Sequence, residues 1–221
     1  MVVIATKVYV RGEAKRRALD SLESLVRNDI GGLDVDFTVG LRDDGFPSVT
    51  VTGDDAPVAR NVLAEHWGAI TPHRTAGETY VGTLESWDDD GFVLDAGEDV
   101  RIPADELGLG PGTPSQIRTR FGLVQHVPLR FVEGEPARLA DVERDRLYDW
   151  TRDTGRVNVN SATRAEIRAT VNRAGHAKDI ITVERLGLLE GSIVCKADTD
   201  APGLLADIGP YLPSELLAVV P

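Results

Sequence analysis

The chain has 221 residues, of which 42% are hydrophobic and 5% aromatic, so it can fill globular cores and is not a disordered chain. Its formal charge is −12, and arginine supplies most of the cations, because lysine occurs only as Lys7, Lys15, Lys178 and Lys196. This composition is typical of a cytosolic protein from a halophile. Acidity does not exclude a nucleic-acid partner there, since the Debye length at molar salt is only about 3 Å.

The cysteine count and the hydrophobic runs indicate the compartment. A single cysteine, Cys195, excludes an intramolecular disulfide and a thiolate metal cluster, and suits a reducing cytoplasm. The N-terminal MVVIATKVYVRG is too short and too soon charged for a signal peptide. No apolar run approaches the roughly 18 residues of a membrane span. We therefore expect a cytoplasmic protein that does not bind membranes.

The first segment, residues 1–77, predicts an α+β domain with the order β-α-β-β-α. A run rich in β-branched residues predicts the first strand over 2–10, and alternating residues predict two more over 34–41 and 47–53.

Two helices complete this domain. The first carries an apolar face of Ala18, Leu22, Leu25 and Val26. The second is expected to be capped by Asp54 or Asp55, to hold Pro57 in its first turn and to end at Gly68. Its predicted apolar stripe is Val58, Val62 and Leu63.

The second segment, residues 78–135, changes to short strands separated by glycine, which predicts a small closed β-barrel. The glycine- and proline-rich stretch GLGPGTPSQ, residues 108–116, is predicted to be a loop. This segment holds four arginines against twelve carboxylates and so carries most of the negative charge.

Its glycine and aromatic pattern places Gly82-Thr-Leu before Gly91-Phe-Val-Leu-Asp-Ala-Gly97 and a turn that ends at Leu107. The pattern resembles the OB-fold RNA-binding repeat of the largest bacterial small-subunit ribosomal protein. The resemblance implies an OB-like barrel in which Phe92 stacks on bases and a basic residue such as Arg101 follows the phosphates. Pro103 replaces the usual histidine, however, and Asp88 to Asp90 crowd the turn. The alternative is that Phe92 is a core residue of a packing or protein-binding barrel.

The third segment, residues 136–221, begins with a predicted connector helix whose inward residues are Leu139, Val142, Leu147 and Trp150. The rest predicts β-α-β-β-α-β, the ferredoxin-like order. DAPGLLADIG, which follows Thr199, is similar to the ligand loop of ACT regulatory domains. A small-molecule sensor using Asp200 to Leu204 is therefore an alternative function, and a simple helix cap is the plainer explanation.

Cations cluster on the helix that follows Ser161. Arg164 and Arg168 lie one turn apart, and Arg173 and Lys178 lie beyond its end. Such a cluster favours contact with a nucleic-acid backbone. The alternative is an ordinary solvated helix face.

Catalytic patterns are absent from the sequence. The four histidines are dispersed without metal-ligand spacing, and Cys195, between two strand residues, is expected to be a buried apolar side chain. We predict no enzyme activity, no cofactor and no metal.

The chain as a whole resembles a family of archaeal proteins of about this length, to which no activity is assigned. The resemblance is carried by HAKDIITVERLG and VCKADTDAPGLLADIGPYLP, between His176 and Pro213. It implies the domain order α+β, barrel, α+β. We expect a non-enzymatic RNA-binding protein associated with translation or RNA processing, whose partner is RNA or a ribonucleoprotein. A protein-interaction scaffold that uses the acidic barrel is the second hypothesis.

Overall fold

The structure, a computed structural model, describes residues 1–221 and consists of three α+β regions. Their antiparallel sheets have three, five and four strands along the chain. No helix combines the length and the hydrophobicity that a membrane crossing needs.

The first region has the predicted order of elements. Its elements are β1 (Val2–Val3), α1 (Gly12–Ile30), β2 (Asp36–Leu41), β3 (Pro47–Thr52) and α2 (Ala56–Trp67). The sheet order is β1-β3-β2, and α1 buries Ala18, Leu22 and Val26 as its periodicity predicts.

Three local predictions in this region are wrong. The first strand ends at Val3, because the chain beyond it leaves the sheet to contact the other two regions. Val58 is 49% exposed, while Leu63 is fully buried. Asp55 holds the N-cap position of α2, but its carboxylate accepts a hydrogen bond from the Asp34 N–H at 2.9 Å and does not cap the helix.

The second region is a five-stranded sheet with one helix. Its elements are β4 (Thr79–Asp88), β5 (Gly91–Asp95), β6 (Asp99–Pro103), α3 (Pro114–Arg120), β7 (Pro128–Val132) and β8 (Arg138–Leu139). The order is β6-β5-β4-β7-β8, and no ladder joins β6 to β8. The sheet is therefore a half-barrel, and the predicted closed barrel is not formed.

Helix α3 begins within the last three residues, 114–116, of the stretch predicted to be a loop. Thr113 accepts a hydrogen bond from the Gln116 N–H, and the Gln116 side chain accepts one from the Thr113 N–H. This capping box, with Pro114 in the first turn, begins a helix at the point where the glycine-rich loop ends.

The third region follows a connector helix, α4 (Asp141–Trp150). Its elements are β9 (Arg156–Val159), α5 (Arg164–Arg173), β10 (Ile180–Arg185), β11 (Gly191–Cys195), α6 (Ala201–Ile208) and β12 (Leu216–Val219). The sheet order is β10-β11-β9-β12, and the predicted β-α-β-β-α-β sequence is observed.

Helix α4 packs on the half-barrel of the second region. Leu147 and Trp150 are buried in the same cluster as Phe121 and Leu139. Val142 is 58% exposed, so its predicted inward position is wrong. The connector helix thereby forms part of the core of the second region.

The side chain of Tyr9 joins all three regions. Its hydroxyl donates a hydrogen bond to Glu190 at 2.6 Å and accepts one from the Ser161 N–H at 2.8 Å, while its ring lies 3.9 Å from that of His126. His126 and Ser161 are the two non-glycine residues with positive φ, 67° and 59°. Leu188 also packs in the core of the first region.

Candidate nucleic-acid interface

A cleft lies where the three regions meet, and we call it the arginine cleft. It consists of two adjoining cavities of about 500 Å³ and about 900 Å³, which share Arg146, Arg185 and Leu186. Its walls come from α1 and α2, from β4 and α4, and from α5 and β10. Five arginines line it: Arg130, Arg146, Arg164, Arg168 and Arg185.

Local sequence fixes the two arginines of α5 that line the cleft. Thr163 and Glu166 form a capping box that begins the helix, which places Arg164 in its first turn. Arg168 follows one turn later on the same face. Arg164 donates from Nε to the Val183 carbonyl at 2.5 Å, so its side chain is held across the edge of β10.

A buried carboxylate fixes two more arginines. Glu143 is fully buried on α4 and accepts hydrogen bonds from Arg130 Nη1 at 3.4 Å and Arg146 Nε at 2.9 Å. The Arg146 guanidinium also lies 5.0 Å from the ring centre of Trp150. Two cations therefore share one buried anion, and the cluster keeps a net positive charge.

The carboxylates that line the cleft form no salt bridge with three of its arginines. Asp29 accepts a hydrogen bond from Trp67 Nε1 at 2.9 Å and faces His66, and Glu184 pairs with Arg156, outside the cleft lining. Glu65 is the one lining carboxylate that forms no salt bridge. Arg164, Arg168 and Arg185 thus present positive charge to an open cavity.

Arg185 is held by an aromatic ring. Its guanidinium carbon lies 4.3 Å from the ring centre of Trp67. Partial desolvation by the surrounding protein lowers the pKa of Arg185; the nearby charge of Asp29 opposes this and that of Arg164 adds to it. Asp29 offsets the two like charges of Arg164 and Arg185 only in part, so their arrangement favours the binding of an anion.

The structure brings together only part of the predicted site. Arg164 and Arg168 line the cleft. Arg173 and Lys178 are exposed and do not line it. Arg130, Arg146 and Arg185 were not predicted, since they come from three elements that no local pattern connects.

The predicted stacking role of Phe92 is wrong. Phe92 is 0% exposed in the core of the half-barrel, where no base can reach its ring. Its position on β5 points it inward against Ile102 and Leu94. The alternative, a core residue, is confirmed.

Arg101 lies on the acidic hairpin and is engaged by it. Its two terminal nitrogens donate to the two oxygens of Asp88, each at 2.9 Å. The Arg101 guanidinium lowers the pKa of Asp88 to about 2. Because both terminal nitrogens of Arg101 are bonded to Asp88, the guanidinium is not free to bind a phosphate.

The structure also shows the positions of Cys195 and of the loop from Asp200 to Leu204. Cys195 is fully buried, as expected, and burial raises the pKa of its thiol to about 11. Asp200 and Leu204 line a cavity of about 280 Å³ together with Asp179, Asp198 and Asp207. This loop is crowded with carboxylates, and no group of three or more His, Cys, Asp or Glu side chains is arranged to hold a metal ion.

Comparison with protein-family models gives three matches in order. Residues 1–73 match the DUF2110 N-terminal domain, residues 74–151 the DUF2110 central domain, and residues 154–220 the DUF2110 C-terminal domain. A search of curated proteins gives no match. The chain belongs to the DUF2110 family.

Proposed function

We propose that this member of the DUF2110 family is a non-enzymatic, cytoplasmic RNA-binding protein that acts in translation or RNA processing and holds RNA in the arginine cleft. One observation carries the proposal. In a chain with a formal charge of −12, three arginines without a carboxylate partner converge on one cavity. Positive charge concentrated in a cleft attracts an anionic ligand even when the net charge of the protein is negative.

The choice of arginine supports a phosphate-bearing ligand. The guanidinium group is planar, remains charged and matches the geometry of phosphate with two parallel hydrogen bonds. Neighbouring phosphates of a nucleic-acid strand would neutralise the repulsion between Arg164 and Arg185. A strand would also release its counter-ions on binding, so the affinity should depend on salt.

The architecture is compatible with this proposal. The sheet order β10-β11-β9-β12 supports a ferredoxin-like third region, and the curved five-stranded sheet with α3 supports an OB-like second region. Both kinds of fold serve RNA recognition in other proteins. This support comes from fold analogy, and the main basis of the proposal is the set of arginines in the cleft.

Binding of a labelled RNA of about 20 nucleotides, followed by fluorescence anisotropy between about 0.1 and 1 M KCl, tests the proposal. Arg164→Glu with Arg168→Glu reverses two charges inside the cleft. Arg173→Glu with Lys178→Glu reverses two charges outside it and is the matched control. We expect the first pair to weaken binding by at least about tenfold and to flatten the salt dependence.

The control pair should change the dissociation constant by less than about twofold, because its charges lie outside the cleft. Equal weakening by both pairs would show that only net charge matters and would reject the cleft. If the wild-type protein binds no RNA at any of these salt concentrations, the proposal fails. Tight capture of a basic protein instead would favour the scaffold hypothesis.

A further inference from the structure

Arg185 and Trp67 form a stacked pair at the point that the two cavities share. The Trp67 ring is 7% exposed, and its indole nitrogen is tied to Asp29 at 2.9 Å. The guanidinium of Arg185 covers this ring at 4.3 Å, and the residue is exposed. The guanidinium therefore lies over a fixed aromatic surface, and Arg185 is exposed to the cleft on its other side.

The backbone after Arg185 is also fixed. A Cβ atom at Gly187 would lie 3.0 Å from Cδ of Pro128, which shows how closely this turn approaches the half-barrel. Leu186 N–H and Gly187 N–H both donate to the Glu190 carbonyl, at 2.9 Å and 3.0 Å. The backbone that carries Arg185 is thus fixed by a tight turn, and its guanidinium lies over the Trp67 ring.

The other two cleft arginines that lack a carboxylate partner have a different geometry. Arg164 is tied through Nε, and Arg168 is exposed on α5; neither stacks on an aromatic ring. Their terminal nitrogens are suited to phosphate oxygens. The cleft therefore combines one flat stacking surface with two point contacts for a backbone.

This combination distinguishes between forms of RNA. Bases in an A-form duplex stack on one another and are closed to side chains, whereas unpaired bases stack on aromatic rings and on guanidinium planes. Resting on the proposed function, we infer that the arginine cleft takes single-stranded RNA, with one unpaired base stacked on Arg185 while Arg164 and Arg168 contact the adjoining phosphates.

The test compares Arg185→Lys with Arg168→Lys, both of which keep the positive charge. Each is titrated with an oligouridine of about 12 nucleotides, with the same strand carrying abasic sites at its centre, and with a duplex of equal length. We expect Arg185→Lys to weaken binding of the intact strand by about tenfold, the loss of one stacked base, and to change binding of the abasic strand by less than about twofold. Arg168→Lys, which alters a phosphate contact and no stacked base, should weaken binding of the intact and the abasic strand by the same factor.

The wild type should bind the duplex at least about tenfold more weakly than the intact strand. The stacking inference is overturned if Arg185→Lys binds the intact strand normally, or if it weakens the intact and abasic strands equally. It is also overturned if the duplex binds as well as the single strand. In these three cases RNA binding by the cleft itself stands, whereas a wild type that binds none of the ligands removes both proposals. An unchanged melting temperature of Arg185→Lys confirms that it is folded.

Discussion

Replacing Glu190 by glutamine is expected to change how the stability of the protein depends on pH. Glu190 is 2% exposed at the junction of the three regions. One carboxyl oxygen accepts the hydrogen bond from Tyr9 at 2.6 Å, and Oε2 has no partner. Burial raises the pKa of Glu190 to about 8, and the hydrogen bond from Tyr9 only partly opposes it.

The magnitude follows from the difference between the folded and the unfolded chain. The ordinary pKa of 4.5 and the folded value of about 8 differ by 3.5 units, and each unit is worth about 1.4 kcal/mol. Since the folded pKa is raised, the unfolded chain loses its proton first as the pH increases. Stability is therefore fully present below about pH 4.5 and declines by up to about 5 kcal/mol as the pH rises to about 8.

Glutamine cannot ionise, so this decline is absent from the variant. Its amide oxygen still accepts from Tyr9, but its NH₂ group lies where Oε2 has no partner, at a cost of about 1–3 kcal/mol at every pH. Between about pH 5 and pH 9, the free energy of unfolding of the variant should gain roughly 3–5 kcal/mol relative to the wild type.

Urea unfolding at constant KCl, repeated across this pH range for both proteins, measures the effect. The difference between the proteins cancels the other titrating groups. Tyr9→Phe is the companion variant: it removes the opposing hydrogen bond, so the decline should extend to higher pH than in the wild type. A difference between Glu190→Gln and the wild type that stays constant from about pH 5 to pH 9 would refute the reasoning.

Two further predictions concern the acidic half-barrel. Phe92→Ala should lower the free energy of unfolding by about 3–5 kcal/mol, because the ring fills the core. Its RNA affinity, measured below the melting temperature of the variant, should stay within about twofold of the wild type. A loss of RNA binding in a folded variant would contradict this. Arg101→Ala should return the pKa of Asp88 from about 2 towards its ordinary value of 3.8, as followed by the NMR titration of its carboxyl carbon. RNA affinity should not decrease in this variant, and a large decrease would place RNA on the hairpin.

The order of elements in the first and third regions could be predicted because local sequence patterns determine it. The apolar face of α1 repeats at helical spacing, and α5 begins at a capping box. Helix α3 was hidden because its first turn follows a stretch rich in glycine and proline, which favours a loop until the pairing of Thr113 with Gln116 is considered. The exposure of Val58 and Val142 depends on which face of each helix packs against another element, and the spacing of apolar residues does not determine that face.

The candidate site was only half predictable. Arg164 and Arg168 stand out because their spacing puts them on one helix face. Arg185 and Trp67 lie in different regions, and only the packing of α2 against the end of β10 brings them together. Phe92 was misjudged because a family pattern identifies a position in a strand and does not reveal whether that strand's face is covered.

The contacts of Tyr9 bear on whether the three regions are interchangeable modules. A left-handed backbone conformation at a non-glycine residue costs about 1–3 kcal/mol. His126 in the second region and Ser161 in the third region both adopt this conformation. Both conformations are held by the ring and hydroxyl of a residue from the first region. A region transplanted from a relative would therefore have to bring a matching junction with it, and the three parts of such a protein are expected to evolve as one unit.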